Sequence, residues 1–368
     1  MKLLKQSFCL VVLIAALFIC PESASAQDRE NYLSRMTLLL ISDPANAELD
    51  SQQRTDWLLS RGRTTENLEL AEAAWVNANA KFRLGRADDA RVILELSSRA
   101  APNGANGDRI RAYIKLLAGV MARNDGDFGR ALQMYRQAQQ GFIASGDDRG
   151  QALALQSLGS LYADVGDGES AIRYLALSQE TYEGDDPFLL ILHNNMGVAY
   201  QTGFDHSNAI VQFQKALAIA DRLGMDAYAT RIRLNIVLSA LHSGQLGLAR
   251  SVLAEIGLAE NYANAMQQAD IRGFQAFLAL KEGRSVRATE LIALALRGVD
   301  SRTSAAAYRK LHLFAYTIYA AQGDRARALE HLEAVRRLDA ADSAITAPNR
   351  AAVIAAQFQF AAQNARIA

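Results

Sequence analysis

Residues 158–175 read LGSLYADVGDGESAIRYL, and this stretch contains the pattern on which the fold depends. A helix with Gly159 in its interior ends at Gly166, and a second helix follows with Ala171 and, four residues later, Leu175. Glycine ends helices because it accepts the left-handed conformation, whereas glycine inside a helix costs about 1 kcal/mol relative to alanine. Gly159 therefore indicates that a second helix packs closely there, and the stretch predicts two helices that cross at small residues.

The same pattern occurs seven times, and the spacing between its successive alanines is nearly constant. We number the units 1 to 7 by these alanines, which are Ala90, Ala131, Ala171, Ala209, Ala249, Ala288 and Ala328. A glycine is expected to form each turn, at Gly85, Gly126, Gly166, Gly203, Gly244, Gly283 and Gly323. An aspartate is expected to cap the second helix in four units, at Asp88, Asp127, Asp167 and Asp324.

Two units carry a family resemblance most clearly. The tetratricopeptide repeat is resembled by Leu158-Gly159 with Tyr162, Ala171 and Leu175. It is also resembled by Met196-Gly197, which is followed by a tyrosine, an alanine and, four residues after the alanine, an aromatic residue. Units 5 and 6 lack the small residue followed by tyrosine. The period of about 40 exceeds the usual 34 of the family and resembles its long-helix subclass, found in bacterial peptide receptors and kinesin light chains.

The resemblance covers about residues 66–340. It implies an all-α, right-handed superhelical solenoid of about seven helix pairs. Solenoids need caps because their terminal repeats expose an apolar face. We expect an N-terminal helical cap over 27–65, with helices at 28–41 and 50–65. We also expect a capping or junction helix within 341–368 that begins at Pro348.

Residues 1–26 have the features of a secretory signal peptide. Lys2 and Lys5 precede an apolar run over 8–20, which is too short for a stable membrane anchor, and an Ala-Ser-Ala sequence ends at Ala26. We expect cleavage before Gln27 and a periplasmic or secreted protein; an uncleaved anchor is the alternative. No second apolar stretch is long enough to cross a bilayer, so we expect no membrane span after cleavage.

The composition of residues 27–368 excludes several kinds of site. Cys9 and Cys20 lie in the signal, so no disulfide or cysteine-ligated metal is expected afterwards. Removal of the signal takes the 39 basic and 39 acidic residues to 37 and 38, and this balance disfavours nucleic acid as a partner. No phosphate-binding loop, zinc motif or nucleophile elbow occurs. We therefore expect no cofactor, no metal and no enzymatic activity.

The resemblance implies a concave groove formed by the first helix of each unit, which would bind a peptide or protein ligand. Polar residues occupy the groove-facing places of units 3 to 5. They are Gln156, Ser160, Asn194, Asn195, Gln201, Arg231, Asn235 and His242. Asn195 and Asn235 occupy the same place in adjacent units, and an amide side chain matches the carbonyl and N–H of an extended peptide. Hydrogen bonding between neighbouring helices is the alternative role for these amides. For Phe274 and Phe277 in unit 6 we favour core packing over a ligand pocket.

Two functions remain open at this point. The first is an exported scaffold that binds a peptide or protein in the groove. The second is the ligand-sensing half of a bacterial signalling receptor, because residues 358–368 resemble the junction helix that precedes a membrane span and a diguanylate cyclase or histidine kinase. Neither a span nor a catalytic domain is present in these 368 residues.

Overall fold

The computed structural model describes residues 26–257 and 265–367, so the predicted signal peptide lies outside the described residues except for Ala26. The described ranges contain sixteen α-helices, one short 3₁₀ turn and no β-strand. The two helices before the repeats are α1 (Ala26–Ser42) and α2 (Pro44–Ser60). None of the described helices is long and apolar enough to span a bilayer.

Seven helix pairs follow, as the repeat spacing predicts. Units 1 to 4 are α3 (Leu68–Arg83) with α4 (Ala87–Ala100), α5 (Ala105–Asn124) with α6 (Phe128–Ser145), α7 (Asp148–Asp164) with α8 (Gly168–Thr181), and α9 (Asp186–Thr202) with α10 (His206–Arg222). Units 5 to 7 are α11 (Asp226–His242) with α12 (Leu246–Gly257), α13 (Ala265–Lys281) with α14 (Ser285–Ala295), and α15 (Arg309–Ala321) with α16 (Arg325–Ile367). Each pair packs on its neighbours, which makes the chain an all-α repeat solenoid.

The glycines inside the first helices lie where the two helices of a unit cross. A Cβ atom on Gly159 would lie 2.6 Å from Leu175, and one on Gly197 would lie 2.5 Å from the ring of Phe213. Leu175, Phe213 and Ala171 are fully buried. The predicted crossing at small residues is therefore confirmed, and the side chain four residues after the alanine fills the space that each glycine leaves.

The turn of unit 4 differs from the prediction. Six units have glycine in the left-handed conformation five residues before the alanine, but Phe204 holds that place in unit 4 with φ of 60°. Gly203 stands one residue earlier with an ordinary φ of −82°, so its assignment as the turn glycine is wrong. The left-handed conformation costs a residue with a Cβ about 1–2 kcal/mol, and the Phe204 side chain is 84% exposed.

Three of the four predicted caps are confirmed. Asp127, Asp167 and Asp324 each accept a hydrogen bond from the backbone N–H three residues later. The prediction of a cap at Asp88 is wrong. The N-cap position lies four residues before the alanine and is occupied by Arg86, whose side chain makes no capping hydrogen bond. Asp88 lies in the first turn of α4, where it pairs with Arg91 at 2.5 Å.

The N-terminal helix α1 contacts the first helices of two distant units. It packs against α2 and α3 and also contacts α9 in unit 4. Ile41, near its end, packs against the hydrophobic core of units 4 to 7. This helix therefore connects the first unit with the middle of the array.

The last helix also differs from the prediction. The prediction of a helix that begins at Pro348 is wrong, because α16 runs without a break for 43 residues through Pro348. Its start packs in unit 7, while Val353 is 2% exposed in the core of units 2 to 4. Gln357 donates a hydrogen bond to the Tyr162 hydroxyl in unit 3. Packing at both ends holds the helix together across the proline, which lacks an N–H to donate.

Candidate functional site

The predicted groove residues lie on three first helices of neighbouring units. Gln156 and Ser160 are on α7; Asn194, Asn195 and Gln201 are on α9; Arg231, Asn235 and His242 are on α11. Hydrogen bonds connect several of them from one unit to the next. We call the surface that these eight residues form the polar wall.

Gln156 and Asn194 form the most unusual part of the polar wall. They occupy the same place in units 3 and 4, and Gln156 is 6% exposed. The Gln156 Nε2 atom is a buried donor without an acceptor, and the Asn194 Oδ1 atom is a buried acceptor without a donor. Buried polar groups are almost always hydrogen-bonded, so an unmet donor and an unmet acceptor in neighbouring units call for an explanation.

Most of the other amides in the wall already have partners. Asn195 donates from Nδ2 to the Ser160 hydroxyl at 3.1 Å. Gln201 donates from Nε2 to the backbone carbonyl of Asn235 at 3.1 Å and to the Ser239 hydroxyl at 2.7 Å. Asn195 and Asn235 are both half-buried. The hydrogen bonds of Asn195 and Gln201 are of the interhelical kind, which fits the alternative role considered for the amides.

Arg231 and His242 lie at opposite ends of α11, and both are exposed. The guanidinium of Arg231 lies over the Tyr228 ring, 4.3 Å from its centre. The ring of His242 stacks on His206 at 4.9 Å, and burial and the charges of His206 and Lys281 lower its pKa. These two residues mark the ends of the polar wall in unit 5.

A cavity of about 620 Å³ lies near the N-terminal ends of α7 and α9 and was not predicted from the sequence. The N-terminal helix α1 forms one side of it, and α3, α5, α7 and α9 contribute the remainder. We call it the α1 cavity. Its aromatic lining residues are Trp75, Tyr113 and Tyr182. The repeat pattern gives no signal for this cavity, because the cavity depends on where α1 packs.

Two equivalent ion pairs border the α1 cavity. Arg109 contacts Asp147 at 2.6 Å, and Arg149 contacts Asp185 at 2.7 Å in the next unit. Burial opposes ionisation of Asp185, but hydrogen bonding and the charge of Arg149 hold its pKa below the usual range. Burial raises the pKa of Tyr113 to about 12. Both arginines at the cavity are therefore paired with aspartates, and the Tyr113 phenol is neutral.

Phe274 and Phe277 in unit 6, together with His193 and His312, have structural roles. Phe274 is 1% exposed and Phe277 is 8% exposed, and Phe277 stacks on Phe314 at 4.6 Å, which confirms core packing. His193 bonds Gln212, and His312 bonds both His331 and a serine. Within 26–257 and 265–367, no group of three or more histidine, cysteine, aspartate or glutamate residues could hold a metal ion.

Comparisons with known proteins agree with this architecture. Residues 151–222 match the tetratricopeptide repeat family model, whereas no curated protein matches the sequence. A Rap protein solved in complex with competence and sporulation factor is 15% identical, with 92% of this chain and 100% of that chain covered and a TM-score of 0.58. The apo form of RapI is 11% identical, with coverage of 90% and 98% and a TM-score of 0.60.

A tetratricopeptide repeat protein from Parabacteroides merdae is 17% identical, with coverage of 76% and 98% and a TM-score of 0.50. At these identities the likeness concerns the fold. The family match over residues 151–222 and the seven stacked helix pairs identify tetratricopeptide repeats in this chain, and the solved structures share its fold.

Proposed function

We propose that the chain is an exported scaffold that binds an extended segment of a partner polypeptide along its polar wall. The observation that carries this proposal is the unmet pair, the Gln156 Nε2 donor and the Asn194 Oδ1 acceptor. Each such buried group costs about 1–3 kcal/mol while it lacks a partner. A peptide backbone would accept from Gln156 through a carbonyl and donate to Asn194 through an N–H. A bound peptide would thus relieve a penalty that the free protein carries.

The other wall residues would extend this contact into units 4 and 5. Asn195 and Asn235 stand at equivalent places in adjacent units, so they would reach successive parts of one extended chain. Ser160 and Gln201 would orient these amides, because they are hydrogen-bonded to Asn195 and to the Asn235 backbone, respectively. Arg231 and His242 are exposed and would contact side chains of the ligand.

The fold comparison supports a binding role for this shape. The Rap protein of similar fold is solved with competence and sporulation factor bound to it. A solenoid of this kind therefore accommodates a bound factor. Because the sequence identity is so low, no binding residue of this chain can be inferred from the Rap protein. The proposed role of the polar wall rests on the contacts within this chain.

We expect the double substitution Asn195→Ala/Asn235→Ala to weaken capture of peptides selected from a display library by roughly 30-fold or more. The reason is the loss of two ligand hydrogen bonds, each worth about 1–3 kcal/mol if a partner is left unpaired. Gln214→Ala, on the exposed face of α10, is the matched control. Binding and calorimetric melting are measured on the same samples. A fall in melting temperature with unchanged peptide capture would assign these amides to interhelical packing alone.

Export is the second part of the proposal. It rests on the basic start, the apolar run and the Ala-Ser-Ala sequence that ends at Ala26. In bacterial cells that express the chain, we expect a periplasmic or secreted protein whose first residue is Gln27. Cell fractionation followed by N-terminal sequencing measures this. Recovery of the cytosolic chain with Met1 in place would contradict export.

One feature of the fold favours the sensing alternative. Because α16 joins unit 7 to units 2 and 3, its position depends on the curvature of the units between. A ligand that changed this curvature would move α16. A membrane span and a cyclase or kinase domain encoded directly downstream would support a receptor. A stop codon at that point would contradict it and leave the scaffold.

A further inference from the structure

We propose that the α1 cavity binds an uncharged aromatic side chain of the peptide held on the polar wall. This inference deepens the proposed function and rests on it. The cavity has the size of an ordinary ligand site, and it lies between a helix outside the repeats and the first helices of units 1 to 4. The ligand class follows from three features of its lining.

The first feature is a set of three half-buried aromatic rings, two of which have bonded polar ends. Trp75 donates from Nε1 to the backbone carbonyl of Tyr113 at 3.2 Å, and Tyr182 donates its hydroxyl to Asp185 at 3.1 Å. The rings of Trp75 and Tyr113 lie 5.1 Å apart at 59°. Phe142 already contacts the Tyr113 ring edge-on at 4.7 Å, and Phe188 contacts the Tyr182 ring at 5.2 Å. Because the polar ends are in use, the parts of the rings that remain exposed offer apolar surface to a ligand ring. Aromatic rings favour such tilted and edge-on contacts.

The second feature is unfilled apolar surface on α1. Leu33 and Leu38 line the cavity from this side. Leu38 remains 40% exposed although it lines the cavity. Apolar surface left in contact with water favours burial by roughly 25 cal/mol per Å². A ring inserted between α1 and Trp75 would cover this side chain.

The third feature is the pairing of charges at the border. Arg109 and Arg149 each have an aspartate within hydrogen-bond distance. Glu72, a buried carboxylate that also lines the cavity, interacts with its own neighbours. A charged ligand group would therefore have to disturb one of these interactions, and breaking a partly buried pair leaves a charge without compensation. Uncharged Phe, Tyr or Trp side chains avoid this penalty.

The geometry of α7 sets the position of the aromatic residue in the ligand. Arg149 borders the cavity and Gln156 lies seven residues further along the same helix. Seven residues of α-helix rise about 10 Å, which about three residues of extended peptide cover. The aromatic residue should therefore lie about three positions from the peptide bond that Gln156 and Asn194 bind.

A fluorescence titration tests the cavity directly. The chain contains two tryptophans, so Trp57→Phe leaves Trp75 as the reporter. We expect N-acetyl-phenylalaninamide to change the Trp75 emission saturably at millimolar concentration, because a ring enters the cavity, and N-acetyl-alaninamide to cause no saturable change. Identical linear responses to both compounds would overturn the proposal.

A peptide-display selection separates this inference from the proposed function. In Leu38→Trp the larger side chain fills the cavity, and Leu38 itself is not part of the buried core. Leu49→Trp, at a 57% exposed position on α2, is the control. We expect peptides selected on the parent and on Leu49→Trp to share an aromatic residue at one position, and those selected on Leu38→Trp to lack it. Selected peptides without that preference, or with the preference retained by Leu38→Trp, would overturn the cavity proposal but not the groove. Failure of the parent to select any peptide would overturn both.

Discussion

The double substitution Gln156→Leu/Asn194→Leu is expected to weaken peptide binding by roughly 30-fold or more and to leave the melting temperature unchanged or raised. Both side chains carry a buried polar atom without a partner in the free protein. Leucine has a similar size and removes that penalty, because apolar replacement of buried polar groups is nearly neutral or stabilising. The ligand meanwhile loses two hydrogen bonds, and each loss of about 1.4 kcal/mol is a factor of ten in affinity.

Opposite effects on binding and stability distinguish a binding role from a packing role. Isothermal titration with a display-selected peptide gives the affinity, and calorimetry gives the melting temperature. Gln179→Leu, on the exposed face of α8, controls for the added apolar surface. A variant that melts lower and binds as tightly as the parent would show that Gln156 and Asn194 support the fold and not the ligand.

Gly197→Ala is expected to destabilise the protein by about 1–3 kcal/mol, although alanine is the better helix former. The new Cβ would lie 2.5–2.8 Å from three atoms of the Phe213 ring. That ring is fully buried and cannot move aside, so the methyl group forces the helices of unit 4 apart.

Gly247→Ala is the matched control for this substitution. It is a helical glycine in unit 5, and a Cβ there would meet nothing within 4 Å. Alanine should raise stability by about 0.4–1 kcal/mol, because it restricts the unfolded chain without strain. Free energies from denaturant unfolding compare the two variants. Equal stability of Gly197→Ala and the parent would contradict the close crossing at Gly197 and Phe213.

The repeat could be predicted because its determinants are local and recur. Gly159, Gly166 and Ala171 each meet a constraint within one helix pair, and seven copies reinforce the pattern. The errors occur where that local rule is shifted or overridden. Phe204 occupies the turn position that has a left-handed backbone in every unit. The neighbouring glycine lies one residue too early to occupy it. Pro348 remains helical because distant packing holds both halves of α16.

The candidate site was predictable only in part, for a physical reason. The family resemblance predicts which residues of α7, α9 and α11 face the groove. It does not reveal which amides are already bonded, since that depends on side-chain conformations across units. Asn195 is bonded to Ser160, whereas Gln156 and Asn194 retain unmet atoms. The α1 cavity has no repeat signal, because α1 lies outside the units that create the period.

An amide-to-ester scan of a display-selected peptide tests backbone recognition by the polar wall most directly. Each ester removes one backbone N–H while the side chains stay in place. We predict that one ester weakens binding to the parent protein by about tenfold, because it leaves the Asn194 Oδ1 atom without a donor. The same ester should have no effect on Asn194→Leu, which lacks that acceptor. Equal losses at that position in both proteins, or no loss at any position, would contradict recognition of the peptide backbone by Gln156 and Asn194.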